Sequence, residues 1–138
     1  MPLKMIAALV LALGAAAVPA APASAAAGLT VTAKHALLEA GGASVVLVGQ
    51  YSCGPFPDQV PDRGVIDLSV TQGAVRGIGY LTPTVCDGTP QWYAAEVGAV
   101  SGLFQTGRGV WSASGYVEDD EGGLQNVNVP PTRIRIRT

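Results

Sequence analysis

Few side chains in this sequence have the chemistry that covalent catalysis needs. The chain contains one histidine, His35, and two cysteines, Cys53 and Cys86. A serine or cysteine nucleophile needs a base within hydrogen-bond reach and a third group that orients the base. No Gly-x-Ser-x-Gly segment presents a serine for this role, and both cysteines are expected to be oxidised. A single histidine without a free thiol also excludes the common kinds of zinc site.

Paired carboxylates could still act as acid and base without histidine. The available residues are Asp58, Asp62, Asp67, Asp87 and Glu96. Catalytic carboxyl pairs in glycoside hydrolases lie roughly 5 to 9 Å apart, and nothing in the spacing of these residues sets two of them at that distance. The sequence therefore predicts no catalytic residues and a protein that is not an enzyme, with a small hydrolase as the third alternative.

An acidic turn is the candidate for metal binding. Its four consecutive carboxylates, Glu118, Asp119, Asp120 and Glu121, precede two glycines. Calcium favours oxygen ligands on a flexible loop, although this spacing differs from the EF-hand pattern. The alternative is a solvated hairpin turn that keeps the domain soluble. No cofactor is expected.

Three arginines near the C-terminus are the candidate site for polyanion binding. Arg133, Arg135 and Arg137 alternate with Ile134 and Ile136, so a strand would present them on one face at intervals of about 7 Å. They could contact teichoic acid, anionic lipid or another polyanion of a cell envelope. Two alternatives are protection of a sheet edge and salt bridges with the acidic turn.

Aromatic residues on two predicted strands form a candidate contact surface. Trp92 and Trp111, each with an alanine two residues later, are predicted to face the core. Tyr93 and Tyr116 would then face solvent, where an aromatic surface suits sugars or proteins.

The segments that must position these residues read as strands. Short β-branched runs separated by turn residues recur, and no window beyond the N-terminal apolar run has uninterrupted helical periodicity. The predicted strands are residues 29–34, 44–53, 65–71, 74–80, 91–97, 109–117 and 132–138. In the second of these, the predicted core face is Val45, Leu47, Gly49, Tyr51 and Cys53. About seven antiparallel strands in about 110 residues predict an all-β fold, an immunoglobulin-like β-sandwich.

The N-terminal segment predicts export. Lys4 is followed by an apolar run and then by Ala23-Ser24-Ala25, the pattern of a secretory signal peptide. We expect a signal at residues 1–25 and a mature, secreted, extracellular domain at residues 26–138. The apolar run is shorter than the roughly 20 residues of a spanning helix. No second long apolar segment follows it, so the mature chain is expected to have no transmembrane segment.

Charge and cysteine count narrow the class of the mature domain. Of eight basic and ten acidic residues only Lys4 lies in the signal, which leaves seven basic residues and a net charge of −3. That balance argues against a general nucleic-acid binder. In an oxidising compartment Cys53 and Cys86 predict one disulfide, which stabilises such a loop by roughly 3 to 4 kcal/mol.

Several short motifs support a resemblance to a known family. They are Gln50-Tyr-Ser-Cys53, Leu68-Ser-Val-Thr-Gln72, Val85-Cys-Asp-Gly-Thr89 followed by Trp92, and Phe104-Gln-Thr-Gly107. With these motifs the chain resembles small secreted actinobacterial proteins of unknown function, and the resemblance implies export, a disulfide and an immunoglobulin-like sandwich. It implies no activity and no catalytic residues. The architecture is also similar to that of enediyne chromoprotein apoproteins, which usually have two disulfides.

The expected function is non-catalytic binding of an envelope component or of another secreted protein. The alternative is a small-ligand carrier like the chromoprotein apoproteins. A carrier predicts an apolar cleft near Tyr51, Phe56, Phe104 or Trp111.

Overall fold

A computed structural model describes residues 28–138, and these form seven β-strands and no α-helix. The strands are β1 (Thr30–Glu39), β2 (Ser44–Ser52), β3 (Arg63–Gln72), β4 (Val75–Leu81), β5 (Gln91–Ser101), β6 (Gly107–Glu118) and β7 (Leu124–Arg137). The predicted all-β class is therefore confirmed. Residues 28–138 contain no helix that is long and apolar enough to cross a membrane. The predicted signal peptide, residues 1–25, lies outside the described residues.

The seven strands pair in the order β1-β2-β5-β4-β3-β6-β7 and close into a barrel. The prediction of two separate sheets is not confirmed, because hydrogen-bonded pairing continues around the molecule. Two of the seams are narrow. The β4–β5 pairing extends only from Arg76 to Ile78, and β7 meets β1 in parallel through Ile136 and Arg137.

The core follows from the alternation of side chains along the strands. On β3, Ile66, Leu68 and Val70 are at most 1% exposed, as the period of two predicts. The whole predicted core face of β2 is buried as well. Each fully buried aliphatic side chain stabilises the fold by about 1.5 to 3 kcal/mol, so these strands fix which face of the barrel wall is outside.

The prediction for β5 is wrong, because its two faces are reversed. Tyr93 is 6% exposed, whereas Trp92 is 60% exposed and lies beneath the Lys34 ammonium, 5.0 Å from the ring centre. Tyr93 lies opposite Gly49, which has no side chain to compete for the space, and its hydroxyl donates to the carbonyl oxygen of Thr32 at 2.8 Å. The buried ring therefore keeps its polar atom hydrogen-bonded.

The last strand is longer than predicted, because it runs through two prolines. Thr132 pairs with Trp111 of β6 and Val129 pairs with Ala113, so β7 has one extra residue between these two pairs. Pro130 and Pro131 lie in this stretch. Such a bulge releases a residue from the ladder, so prolines without an N–H are accommodated. β7 thus begins beside the acidic turn and ends with the three arginines.

The predicted disulfide joins Cys53, just after β2, to Cys86, in the loop before β5. Around it, the Tyr51 hydroxyl accepts the backbone N–H groups of Thr84 and Val85. The side-chain amide of Gln125 accepts from the N–H of Gly54 and donates to its carbonyl. We call this part of the barrel, formed by residues 53–62, 82–90 and 118–123, the cystine end. These partly buried hydrogen bonds tie its loops to the strands.

Candidate functional site

Five arginines project from the outside of neighbouring strands, at the end of the barrel opposite the cystine end. The predicted trio on β7 is exposed, with Ile134 and Ile136 facing the interior. On β6, Arg108 lies directly opposite Arg135, and on β4 Arg76 lies opposite Thr71 of β3. The arginine face therefore comprises Arg76, Arg108, Arg133, Arg135 and Arg137.

Strand register sets the spacing of these side chains. Arg133, Val110, Thr71 and Arg76 form one row across β7, β6, β3 and β4. Neighbouring strands are about 4.8 Å apart, so the row spans about 14 Å. The pair of Arg108 and the arginine opposite it lies one outward position away, about 7 Å along the strands. The face is therefore as wide as several anionic groups in series.

A groove of about 610 Å³, which we call the arginine groove, runs along this face. Its cationic walls are Arg108, Arg133 and Arg135, and Val110, opposite Arg133, supplies an outward apolar side chain. An open groove with basic walls suits an extended anionic ligand, since guanidinium groups bind carboxylate or phosphate through paired hydrogen bonds.

Gln72, which the sequence analysis missed, holds one wall of the groove in place. Its side-chain amide nitrogen donates to the carbonyl oxygens of Gln105, at 2.8 Å, and of Arg108, at 3.2 Å. Its amide oxygen accepts the backbone N–H of Gln105 at 2.8 Å. These bonds tie the end of β3 to the start of β6 and fix the backbone that carries Arg108.

The arginine face has no compensating carboxylates. Within residues 28–138 the one ion pair closer than 4.0 Å joins Arg63 to Glu118, 3.3 Å apart, at the cystine end. The acidic turn lies where β7 begins and the arginines lie where it ends, so the salt bridges considered as an alternative are not formed. Edge protection does not account for Arg108 either, because β6 is flanked by β3 and β7.

The acidic turn is held together by its own hydrogen bonds. The carboxylate of Asp119 accepts the backbone N–H groups of Glu121, at 2.9 Å, and of Gly123, at 2.6 Å. With Glu118 paired to Arg63, two of the four carboxylates have partners within the protein. No three acidic, histidine or cysteine side chains converge on a metal position anywhere in residues 28–138. These contacts favour the hairpin-turn interpretation over a calcium site.

The predicted aromatic surface is not formed by Tyr93 and Tyr116. Tyr93 is buried, which corrects the prediction, and Tyr116 is half-buried. The exposed rings are Trp92 and Tyr80, the latter 69% exposed on β4. Tyr80 and Arg76 are an even number of residues apart on β4, so they share a face. This spacing could have placed Tyr80 on the outer face.

The cleft that a small-ligand carrier requires is not found at the expected aromatic residues. Tyr51, Phe56, Phe104 and Trp111 are each at most 6% exposed and belong to the packed core. These side chains therefore line no opening in the barrel.

The residues considered for catalysis are scattered. His35 is exposed on β1, opposite Val48, and both cysteines are in the disulfide. In the loop before β5, the Thr89 hydroxyl donates to the Asp87 carboxylate at 2.6 Å and lowers the pKa of that carboxyl. This contact belongs to a local turn.

No protein-family model matches the chain, and no curated protein is significantly similar to it. Its function is therefore inferred from the arginine face and the surface around it.

Proposed function

We propose that this chain is an exported, non-catalytic binding protein whose arginine face holds an anionic component of the cell envelope. The observation that carries the proposal is the pairing of Arg108 with Arg135 directly across two strands, with no carboxylate within ion-pair distance. Like charges in this position destabilise a sheet by roughly 0.2 to 1 kcal/mol. An anionic ligand bound between the two guanidinium groups would relieve this repulsion, and that relief would favour binding.

Several features support the export part of the proposal. The disulfide between Cys53 and Cys86 is consistent with an extracellular protein, because disulfides persist in oxidising compartments. The segment Cys86-Asp-Gly-Thr89, with its resemblance to secreted actinobacterial proteins, and the pattern of residues 1–25 point the same way.

The non-catalytic part is supported by the state of the nucleophiles. Both thiols are consumed by the disulfide, and His35 is a single exposed imidazole on the outer face of β1. A serine nucleophile would need that imidazole together with an orienting group.

We also infer that the barrel is a closed form of the predicted immunoglobulin-like sandwich. Its narrow seams divide the strands into β1-β2-β5 and β4-β3-β6-β7. Within each group the pairing is long and antiparallel, as in the sheets of such sandwiches. The arginine face then belongs to the outer surface of the larger group.

Inorganic polyphosphate is the simplest probe of the arginine face. Binding to the purified protein should be measured by titration calorimetry at 50 and 200 mM salt, for the unchanged chain and for Arg135→Gln. If about three phosphates are neutralised, counterion release weakens binding by roughly 20- to 40-fold between these salt concentrations. Arg135→Gln should weaken binding at low salt by about fivefold.

Arg63→Gln is the matched control, since Arg63 is an exposed arginine at the cystine end. It should leave polyphosphate binding unchanged. Equal losses in both variants would mean that net charge alone governs binding, and no binding at 50 mM salt would contradict the proposal.

A further inference from the structure

A second groove, of about 680 Å³, lies beside the arginine groove on the outside of the same strands. Its uncharged and acidic polar lining comes from Asp67, Ser69, Ser112, Ser114 and Asn128, and Arg76 of the arginine face also lines it. Register places Ser69 opposite Ser112, Asp67 opposite Ser114, and Ser114 opposite Asn128. We call it the serine groove. Its small hydroxyl, amide and carboxylate groups form two adjacent rows.

The polar groups of the serine groove are free to bind a ligand. None of these five side chains takes part in a hydrogen bond with another protein group within residues 28–138. Together they offer hydroxyl and amide donors as well as hydroxyl, amide and carboxylate acceptors. Sugar hydroxyls, which both donate and accept, match such a mixed set better than a purely anionic or purely apolar ligand does.

An exposed aromatic ring stands at one side of the serine groove. Tyr80, opposite Asp67, is 69% exposed, and Ile78, opposite Ser69, is 53% exposed. An exposed tyrosine with polar neighbours presents an apolar ring face beside hydrogen-bonding groups, which suits the flat apolar face of a pyranose. Asp67 and Arg76 bring one negative and one positive charge to the same groove.

The two grooves meet along β3 and β6. Thr71 and Val110 line the arginine groove, and the next outward residues on the same strands, Ser69 and Ser112, line the serine groove. The step between them is about 7 Å on each strand. A single extended chain could therefore occupy both grooves.

From this continuity we propose that the ligand is an anionic glycan, a sugar polymer that carries carboxylate or phosphate groups. Its acidic groups bind the arginine groove, and its sugar hydroxyls bind the serine groove with one ring against Tyr80. The proposal rests on the proposed function, since it names the ligand class of the same face.

The test compares four probes by titration calorimetry at 50 mM salt. They are dextran phosphate, oligogalacturonate, neutral dextran and inorganic polyphosphate, matched in concentration of charged groups where they are charged. At least one anionic glycan should bind about tenfold more tightly than polyphosphate. Such a preference for either anionic glycan supports the proposal, and the glycan that binds more tightly identifies the acidic group.

Variants in the serine groove separate sugar recognition from charge. Tyr80→Ala and Asp67→Ala should each lower the affinity for the anionic glycan by about fivefold. Polyphosphate binding should be unchanged in Tyr80→Ala and unchanged or tighter in Asp67→Ala, which removes a negative charge. Trp92→Ala is the matched control, since Trp92 is 60% exposed and lies outside both grooves. This substitution should leave the affinities for the anionic glycan and for polyphosphate unchanged.

Two results would overturn the inference in distinguishable ways. If polyphosphate and both anionic glycans bind equally and Tyr80→Ala changes none of them, the arginine face binds anions but the glycan inference is wrong. If no anionic probe binds, the proposed function itself is wrong.

Discussion

The two ends of the barrel carry opposite charges, and they differ in whether those charges have partners within the protein. At the cystine end, Asp119 accepts two backbone N–H groups and Glu118 is paired with Arg63. On the arginine face, five guanidinium groups have no carboxylate partner within the described residues, and two of them lie directly opposite each other. Arginine is therefore ion-paired at one end and has no carboxylate partner at the other.

This difference indicates where function lies. A charge that is hydrogen-bonded within the fold contributes to stability, and its removal should destabilise the protein. An unpaired cluster of like charges contributes nothing favourable to the free protein, so its removal should cost no stability while abolishing binding. Mutations at the two ends should therefore separate stability from binding.

The largest expected effect is at the cystine end, on removal of the disulfide. The double substitution Cys53→Ala and Cys86→Ala opens a loop of 33 residues and should lower the free energy of unfolding by about 3 to 4 kcal/mol. Urea unfolding at 25 °C measures this loss. Under conditions where the variant is still folded, polyphosphate affinity should match that of the unchanged chain. A parallel loss of affinity would show that the two ends are coupled.

The second effect concerns the acidic turn. Asp119→Ala deprives two backbone N–H groups of their acceptor and should lower the free energy of unfolding by about 2 kcal/mol. Asp120→Ala, at the exposed neighbouring position, is the control and should change stability by less than about 0.5 kcal/mol. Similar effects from both substitutions would contradict a structural role specific to Asp119.

High pH should destabilise the protein through Tyr93, in the half of the barrel nearer the cystine end. Burial raises the pKa of Tyr93 to about 12 from its ordinary value of 10.0. The unfolded chain thus loses this proton first, so the stabilising contribution is complete below pH 10 and is lost as the pH rises to 12. We expect a loss of up to about 2 kcal/mol over that range, measured by urea unfolding.

The phenylalanine variants test this assignment. Tyr93→Phe should flatten the stability profile between pH 10 and 12, whereas Tyr80→Phe, at an exposed ring, should leave it as steep as before. An unchanged profile in Tyr93→Phe would exclude this tyrosine as the cause.

Much of the fold could be predicted because burial imposes a period of two. Ile66, Leu68 and Val70 fall on the core face, as predicted, since a slip of one residue would expose all three. The faces of β5 were predicted wrongly, because Trp92 was given more weight than the charge of Glu96 on the same face. The closing of the barrel could not be predicted, since its narrow seams depend on how the strands are arranged in space.

The candidate site was only partly predictable, for a similar reason. Arg133, Arg135 and Arg137 are adjacent in sequence, and their alternation alone puts them on one outer face. Arg108 and Arg76 join them only through the register of β6 with β7 and of β3 with β4. Non-local pairing of this kind leaves no mark in the local pattern, and the same holds for the hydrogen bonds of Gln72.

The smallest expected effect gives the sharpest contrast between the two ends, because the sign changes. Without ligand, Arg135→Gln relieves the repulsion from Arg108 and should raise the free energy of unfolding by about 0.5 kcal/mol at low salt. The same substitution at Arg63 breaks its ion pair with Glu118 and should lower it by about 0.5 kcal/mol. Screening at 1 M salt should abolish both differences. A loss of stability in Arg135→Gln would mean that this arginine is held by the fold and would break the contrast.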